Sequence, residues 1–295
     1  MQIVKKVLIG CGIVVGLFVL VLIGGGLFVG RWVKSELPDF EQLEQSRDAL
    51  LEQYGAREDY APSLDGQVRP ERIEAFLAVR ESLLTTRATI ATRSEALLAR
   101  AHDEQWDERS AFEKIGEAFK MARGGIGLFR EGMEYIGARA DQLLAVGMGE
   151  GEYTYLYGLM VYSWLDWDPV GEFGDQWFLD HDMENVPDEF RDEYRRVFVR
   201  QLRNQRQALE DKTDRSADEE ATFELLEQTV REARTMRGTF PYQGEALPEA
   251  WRTTLEPYRA RLIATLPRTP TEYLVDSIEQ LIDDEETKGV HVQFE

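Results

Sequence analysis

The sequence of 295 residues has a single cysteine, Cys11, and few cations, since 34 Lys and Arg residues face 55 Asp and Glu residues for a formal net charge of −21. A single cysteine excludes an internal disulfide and a zinc site with several cysteine ligands. The shortage of cations argues against nucleic acid as a partner, because phosphate binding requires a basic face. It also argues against a domain that lies flat on anionic lipid.

Recognised catalytic motifs are missing as well. The three histidines, His102, His181 and His291, fit neither a zinc-protease helix nor a di-iron bundle motif, and the sequence has no nucleophile elbow and no Walker loop. Gly125 and Gly127 could begin the glycine pattern of a dinucleotide-binding loop, but Arg130 stands where the third glycine of that pattern belongs. We therefore expect that the protein is not an enzyme. An unfamiliar envelope hydrolase that uses paired carboxylates is kept as a second alternative.

The first 34 residues contain four cations and no acid, so the rest of the chain carries −21 minus 4, or −25. Within them, residues 7–30 form an uncharged segment of 24 residues after a short basic tail, residues 1–6. As a helix this segment would extend about 36 Å, enough to cross a hydrocarbon core of about 30 Å. Trp32 follows at the position of a headgroup-layer aromatic. The sequence predicts a single-pass transmembrane anchor at 7–30.

A cleaved signal peptide and a lipoprotein signal are the two alternatives to an anchor at residues 7–30. A cleaved signal peptide has a shorter apolar region, of about 7–15 residues, and ends at a small-residue cleavage site that Val29-Gly30-Arg31 does not supply. The residues Leu8 to Cys11 have the form of a bacterial lipobox, but only four apolar residues separate Lys6 from Cys11. The missing cleavage site and the short apolar stretch before Cys11 both favour a membrane anchor that is not cleaved from the protein.

Glycines lie along one face of this predicted helix. Gly12 and Gly16, and again Gly26 and Gly30, are spaced by four residues, a pattern that lets two membrane helices approach closely. The alternative is that glycine is simply frequent in membrane helices. A glycine face predicts packing on another membrane or envelope protein. The short basic N-terminal tail favours a soluble part outside the cytoplasm, which is the periplasm if the organism is bacterial.

Beyond residue 30, prolines precede runs with helical periodicity, and no strand-like alternation of useful length occurs. We predict an all-α fold, an N-terminal single transmembrane helix followed by an antiparallel multi-helix bundle with one long heptad-like helix. The predicted acidic helical domain covers 31–283, and an acidic C-terminal tail covers 284–295. The predicted helices are Pro38–Tyr54, Pro70 to about His102, Ser110 to Ala145, Pro187–Glu210 and Ser216–Met236, with further helical pieces around Trp251 and Tyr273.

The run from Pro70 has apolar pairs every seven residues, which predicts a coiled-coil-like seam. Arg80 and Arg87 fall on seam positions between these pairs. The plain interpretation is that their stems cover apolar surface while each guanidinium reaches solvent or pairs with a carboxylate. The functional interpretation is a site for an anion or a partner.

Residues 153–178 contain nine of the 31 aromatic residues. Such a segment either lies at the centre of a bundle or contacts a partner, since tyrosine and tryptophan are typical interface anchors. The candidate partner-binding residues are Tyr153, Tyr155, Tyr157, Tyr162, Trp164, Trp167 and Trp177. The acids that follow begin like a calcium loop but lack its ligands at positions 5 and 12. The weak candidate metal ligands are Asp166, Asp168, Glu172 and Asp175.

These patterns predict a membrane-anchored accessory or scaffold subunit of a larger membrane or envelope complex, which acts through protein–protein contacts and needs no cofactor. The alternative is an anchored module that binds a small ligand or calcium at 153–184. The lipid bilayer, through residues 7–30, and another membrane or envelope protein are the expected partners.

Overall fold

The computed structural model describes residues 40–101, 111–181, 183, 185–235 and 239–277. These residues are mostly helical, and none of them is in a strand, so the all-α prediction is confirmed for the described part of the chain. The helices are α1 (Phe40–Tyr54), α2 (Pro70–Ala101), α3 (Ala111–Ala145), α4 (Glu150–Tyr157), α5 (Pro169–Phe173), α6 (Asp175–Asp180), α7 (Val186–Glu210), α8 (Ala217–Thr235), α9 (Glu249–Leu255), α10 (Arg259–Ala264) and α11 (270–277).

The helix boundaries follow local chemistry. Proline begins α2 and α11, where its missing N–H group costs no helical hydrogen bond. Gly55 and Gly147 end α1 and α3 with φ angles of +77° and +65°, which glycine adopts without strain. Short 3-10 helices at Arg57–Asp59, Gly244–Ala246 and Glu256–Tyr258 connect longer elements. The last of these contains Pro257 and separates α9 from α10.

Helix α8 begins with a capping box formed by Ser216 and Glu219. The Glu219 backbone N–H donates to Ser216 Oγ at 3.3 Å, and the Ser216 N–H donates to Glu219 Oε2 at 2.8 Å. Two N–H groups that the first turn leaves without helical partners are thereby satisfied.

The long helices α2 and α3 pack on each other, α1 packs on α3, and α7 packs on α8. Helix α4 contacts α1, α2 and α7, so it lies at the centre of the described helices. It continues into a π-helical segment, Gly158–Trp164, in which Leu165 N–H donates to the Met160 carbonyl at 3.1 Å. Every residue from 153 to 164 is buried. This all-round burial explains why the segment is rich in aromatic residues.

Close packing against neighbouring residues explains one glycine of α4 and one of its π-helical continuation. A Cβ at Gly151 would lie 2.9 Å from the Arg57 carbonyl oxygen and against Tyr60, and one at Gly158 would lie 2.8 Å from the Phe198 ring. The Gln201 amide of α7 donates to the carbonyls of Arg57 and Gly151, at 2.9 and 2.8 Å. The loop before α2 is therefore held against α4 by the side chain of a third element.

Two sequence patterns predict a different local structure. The spacing within α1 places Leu51 beside Leu50 on the apolar side, yet Leu51 is 56% exposed, because Leu50 alone turns into the core at that point. The pair Gly124-Gly125 predicts an interruption of its helix, yet α3 runs through both residues. A glycine pair inside a long helix is tolerated when tertiary packing outweighs its low helix propensity.

In the described ranges, no helix has both the length and the apolar character that crossing a bilayer requires. The predicted anchor, residues 7–30, lies outside the described residues, and so do its glycines Gly12, Gly16, Gly26 and Gly30. The predicted tail 284–295 lies outside them too. The anchor, the glycine face and the tail stay predictions.

Candidate functional site

Two arginines of α2 meet one carboxylate of α11 inside the protein. Arg80 Nη2 donates to Asp276 Oδ2 at 3.1 Å, and Arg87 Nη1 donates to Asp276 Oδ1 at 3.2 Å. The side chains of all three are at most 4% exposed. Arginines seven residues apart lie two turns apart on one helical face, so both reach the same neighbouring segment.

The same guanidinium groups also donate hydrogen bonds to the backbone carbonyls at the C-terminal end of α10. Arg80 Nη2 and Arg87 Nη2 donate to the Thr265 carbonyl at 2.9 and 2.8 Å, and Arg87 Nη2 also donates to the Leu266 carbonyl at 3.2 Å. A helix end leaves carbonyls without intrahelical donors and carries partial negative charge. Two cations from α2 therefore neutralise both the end of α10 and a carboxylate of α11.

Tyrosines complete the shell of the carboxylate. Tyr135 donates to Asp276 Oδ1 at 3.3 Å, and Tyr157 donates to Asp276 Oδ2 at 3.2 Å. The Tyr153 hydroxyl accepts a hydrogen bond from Arg80 Nη1 at 3.1 Å, and the Arg80 guanidinium lies 4.8 Å from the centre of the Tyr157 ring. We call Arg80, Arg87 and Asp276, with these three tyrosines, the buried arginine cluster.

Electrostatics inside the buried arginine cluster favours the ionised carboxylate. Burial alone raises the pKa of Asp276, but Arg80 and Arg87 outweigh it and lower that pKa to about 2. Asp276 in turn keeps the pKa of Arg80 well above its usual value, although burial opposes this. Burial and then Asp276 raise the pKa of Tyr157 and of Tyr135 well above the usual value, so both phenols stay protonated and serve as donors.

The buried arginine cluster connects helices α2, α10 and α11 through hydrogen bonds and ion pairs inside the protein. Each oxygen of Asp276 accepts from one arginine and one tyrosine, so its lone pairs are used within the protein. The pairing of Arg80 and Arg87 with a carboxylate, one of the two interpretations of the seam arginines, is confirmed. Both are buried and neither reaches solvent.

The aromatic segment is interior. Six of its seven candidate partner-binding residues are at most 9% exposed: Tyr153, Tyr155, Tyr157, Tyr162, Trp164 and Trp167. Their rings pack on rings of other elements, for example Tyr155 stacked on Phe198 at 5.3 Å and Tyr157 stacked on Tyr194 at 4.7 Å between ring centres. Central burial, the other interpretation of this segment, accounts for these six side chains. Their role as partner anchors stays a prediction that needs them to become exposed.

The acids after this segment have local partners. Asp168 is the N-cap of α5 and accepts from the N–H groups of Val170 and Gly171, both at 3.2 Å. Asp166, at φ +50°, accepts from Gln243 Nε2 at 2.7 Å. Glu172 and Asp175 are exposed. Among the described residues, no group of three or more acids, histidines or cysteines is arranged to hold a metal ion. Capping and loop fixation explain the two acids that begin the calcium-like pattern.

Trp177 is the exception among the aromatic candidates, since it is only partly buried. It lines a groove of about 280 Å³ between the last turns of α2 and the short helix α6. The groove residues are Glu95, Leu98, Ala99, Trp177, Asp180 and His181. We call it the Trp177 groove.

A second groove, of about 530 Å³, lies along α2 nearer its middle. Its lining consists of small and hydroxyl-bearing residues with two arginines and a glutamate: Leu84, Thr85, Ala88, Thr89, Thr92, Arg93, Arg268 and Glu272. The hydroxyls of Thr89 and Thr92 donate to carbonyls of their own helix, at 2.8 and 2.9 Å. Arg93 pairs with Glu131 of α3.

Comparison of the chain with protein-family models, with curated proteins and with solved structures found no significant match.

Sequence reasoning missed Asp276, the centre of the buried arginine cluster. The heptad positions of Arg80 and Arg87 indicated that two cations border the core, and buried cations require acceptors. With 55 acids in the chain, the spacing within α2 carried no information on which acid supplies them. Only the fold brings residue 276 beside residues 80 and 87.

Proposed function

We propose that the protein is a membrane-anchored scaffold or accessory subunit, whose acidic helical domain binds another protein of a membrane or envelope complex. One observation carries this proposal. The aromatic segment forms a solid interior of stacked rings, which favours a rigid binding domain over a module that holds a small ligand among those aromatics. The buried arginine cluster adds to this rigidity, because it ties α2 to the end of α10 and to α11.

The sequence supports the proposed membrane location and the expected positive charge of the partner's contact surface. Residues 7–30 have the length and apolar character of a membrane span, and the chain after residue 34 carries −25. A surface of one sign steers partners of the opposite sign toward it. We therefore expect a partner with a basic contact surface, and a domain on the outer side of the membrane.

The experiment is purification of the full chain from its native membranes in a mild detergent, followed by mass spectrometry of what comes with it. We expect a defined set of proteins at fixed stoichiometry, with the chain in a complex larger than its own 33.9 kDa. Recovery of a lone monomer would contradict the proposal. Control preparations from membranes without the tagged chain identify proteins that adhere to the resin.

A further inference from the structure

We propose that the Trp177 groove is a docking site for a basic segment of the partner protein, with an arginine or lysine flanked by apolar side chains. This inference rests on the proposed function and specifies where the contact is made. The groove combines a partly exposed tryptophan, two further apolar side chains and two carboxylates from different elements.

Three apolar side chains line the groove. Leu98 and Ala99 come from α2, and the Trp177 indole comes from α6. Leu179, also on α6, is 45% exposed although it is a large apolar side chain. Tryptophan at the edge of an apolar depression is typical of interface anchors, because it buries a large area with few rotatable bonds.

Two acids line the groove as well. Glu95 comes from α2 and Asp180 from α6, and both are exposed. The two carboxylates attract a guanidinium or ammonium group by charge. The alkyl stem of the same side chain then covers the apolar part of the lining, including the Trp177 indole.

The groove is held in shape by its own contacts. The His181 ring stacks on Trp177 with ring centres 4.3 Å apart, and His181 Nδ1 donates to the Trp177 carbonyl at 2.7 Å. Gln176 Nε2 donates to Asp180 Oδ1 at 2.5 Å. A docking surface fixed before binding loses less conformational entropy when its partner arrives.

The test uses the full chain in detergent and a fluorescein-labelled peptide that carries two arginines flanked by leucines. Two matched peptides replace the arginines by glutamate, or the leucines by serine. Fluorescence anisotropy then gives the dissociation constant for each. We expect the leucine–arginine peptide to bind at least about tenfold more tightly than either matched peptide, because the groove needs both the charge and the apolar contact.

Variants locate the contact. Glu95→Gln with Asp180→Asn, and separately Trp177→Ala, are expected to weaken binding of the leucine–arginine peptide about tenfold. The matched control is Glu224→Gln with Glu245→Gln, which removes the same charge from two exposed positions on other elements and should change binding less than twofold. Equal weakening by both double variants would mean diffuse attraction to an acidic protein and would overturn the proposal. Preference for the glutamate peptide would overturn it too.

The native complex separates this inference from the function on which it rests. Membranes that contain the groove variants should lose the co-purifying partner, whereas the control double variant should retain it. A complex that survives all groove substitutions would leave the scaffold function standing and refute the groove. A lone monomer from wild-type membranes would refute the scaffold function, whatever the peptides do.

Discussion

Arg80 and Asp276 form a buried ion pair at 3.1 Å, although 196 positions separate them in the chain. The pair connects the first half of the long helix α2 to the last helix of the described residues. Because loss of Asp276 would leave the Arg80 charge buried without a carboxylate, this contact makes the fold depend on the docking of α11.

Asp276→Asn should lower the free energy of unfolding by about 3–5 kcal/mol, since it leaves Arg80 buried without a carboxylate and Arg87 with Glu272 alone, 3.6 Å away. Urea denaturation followed by circular dichroism measures this loss. The matched control is Asp192→Asn, on the exposed side of α7, which should change stability by about 0.5 kcal/mol or less. An equal effect of the two variants would mean that the buried arginine cluster adds nothing to stability.

The same pair predicts a dependence of stability on pH. The folded pKa of Asp276 is about 2, below its usual value of 3.8, so the stabilisation is complete above the usual value and is lost as pH falls through the folded one. Between pH 5 and pH 2 the wild type should lose about 2 kcal/mol more than Asp276→Asn loses. Urea titrations of both proteins at these two pH values give the difference. Parallel curves would contradict the assignment.

Helix α2 was predictable from the sequence, whereas the carboxylate partner in the buried arginine cluster was not. Periodicity, prolines and capping residues predict where α2, α7 and α8 begin and end, because these signals are local. Asp276 and Gln201 act on residues far away in the chain, and no local pattern specifies such partners. The aromatic segment was ambiguous for a related reason, since tyrosine and tryptophan serve both cores and interfaces.

Gly151→Ala should lower the free energy of unfolding by about 1–3 kcal/mol, because the added methyl group meets the Arg57 carbonyl oxygen and Tyr60. Gly125→Ala, inside α3, is the control. A Cβ there meets nothing within 4 Å, so its better helix propensity should raise stability by up to about 1 kcal/mol. Thermal and urea unfolding of the two variants measure the difference. Two alanine variants of equal stability would count against the close approach of α4 to the loop before α2.

Asp168→Ala should lower stability by about 1 kcal/mol through loss of the cap on α5. If Asp168 acts only as a helix cap, its substitution should lower stability by the same amount in the presence of calcium and in the presence of a chelator. Calorimetric melting in millimolar calcium and in EDTA measures both proteins, with Asp192→Ala, an exposed acid of α7 outside the calcium-like pattern, as the control. If calcium raises the melting temperature of the wild type and not that of Asp168→Ala, the acids bind the ion and the calcium-binding alternative becomes the better explanation.

Gly16→Leu and Gly26→Leu should weaken association of the predicted anchor with its partner helix, because leucine prevents the close backbone approach that a glycine face permits. A membrane two-hybrid assay of residues 1–34 measures the association. The control is Gly24→Leu, which lies off the predicted glycine face and adds the same side chain to the same segment. Membrane insertion is checked by carbonate extraction, so that a lost signal reflects packing alone. Unchanged association in the two face variants would leave the anchor as a tether and would assign the partner contact to the acidic domain.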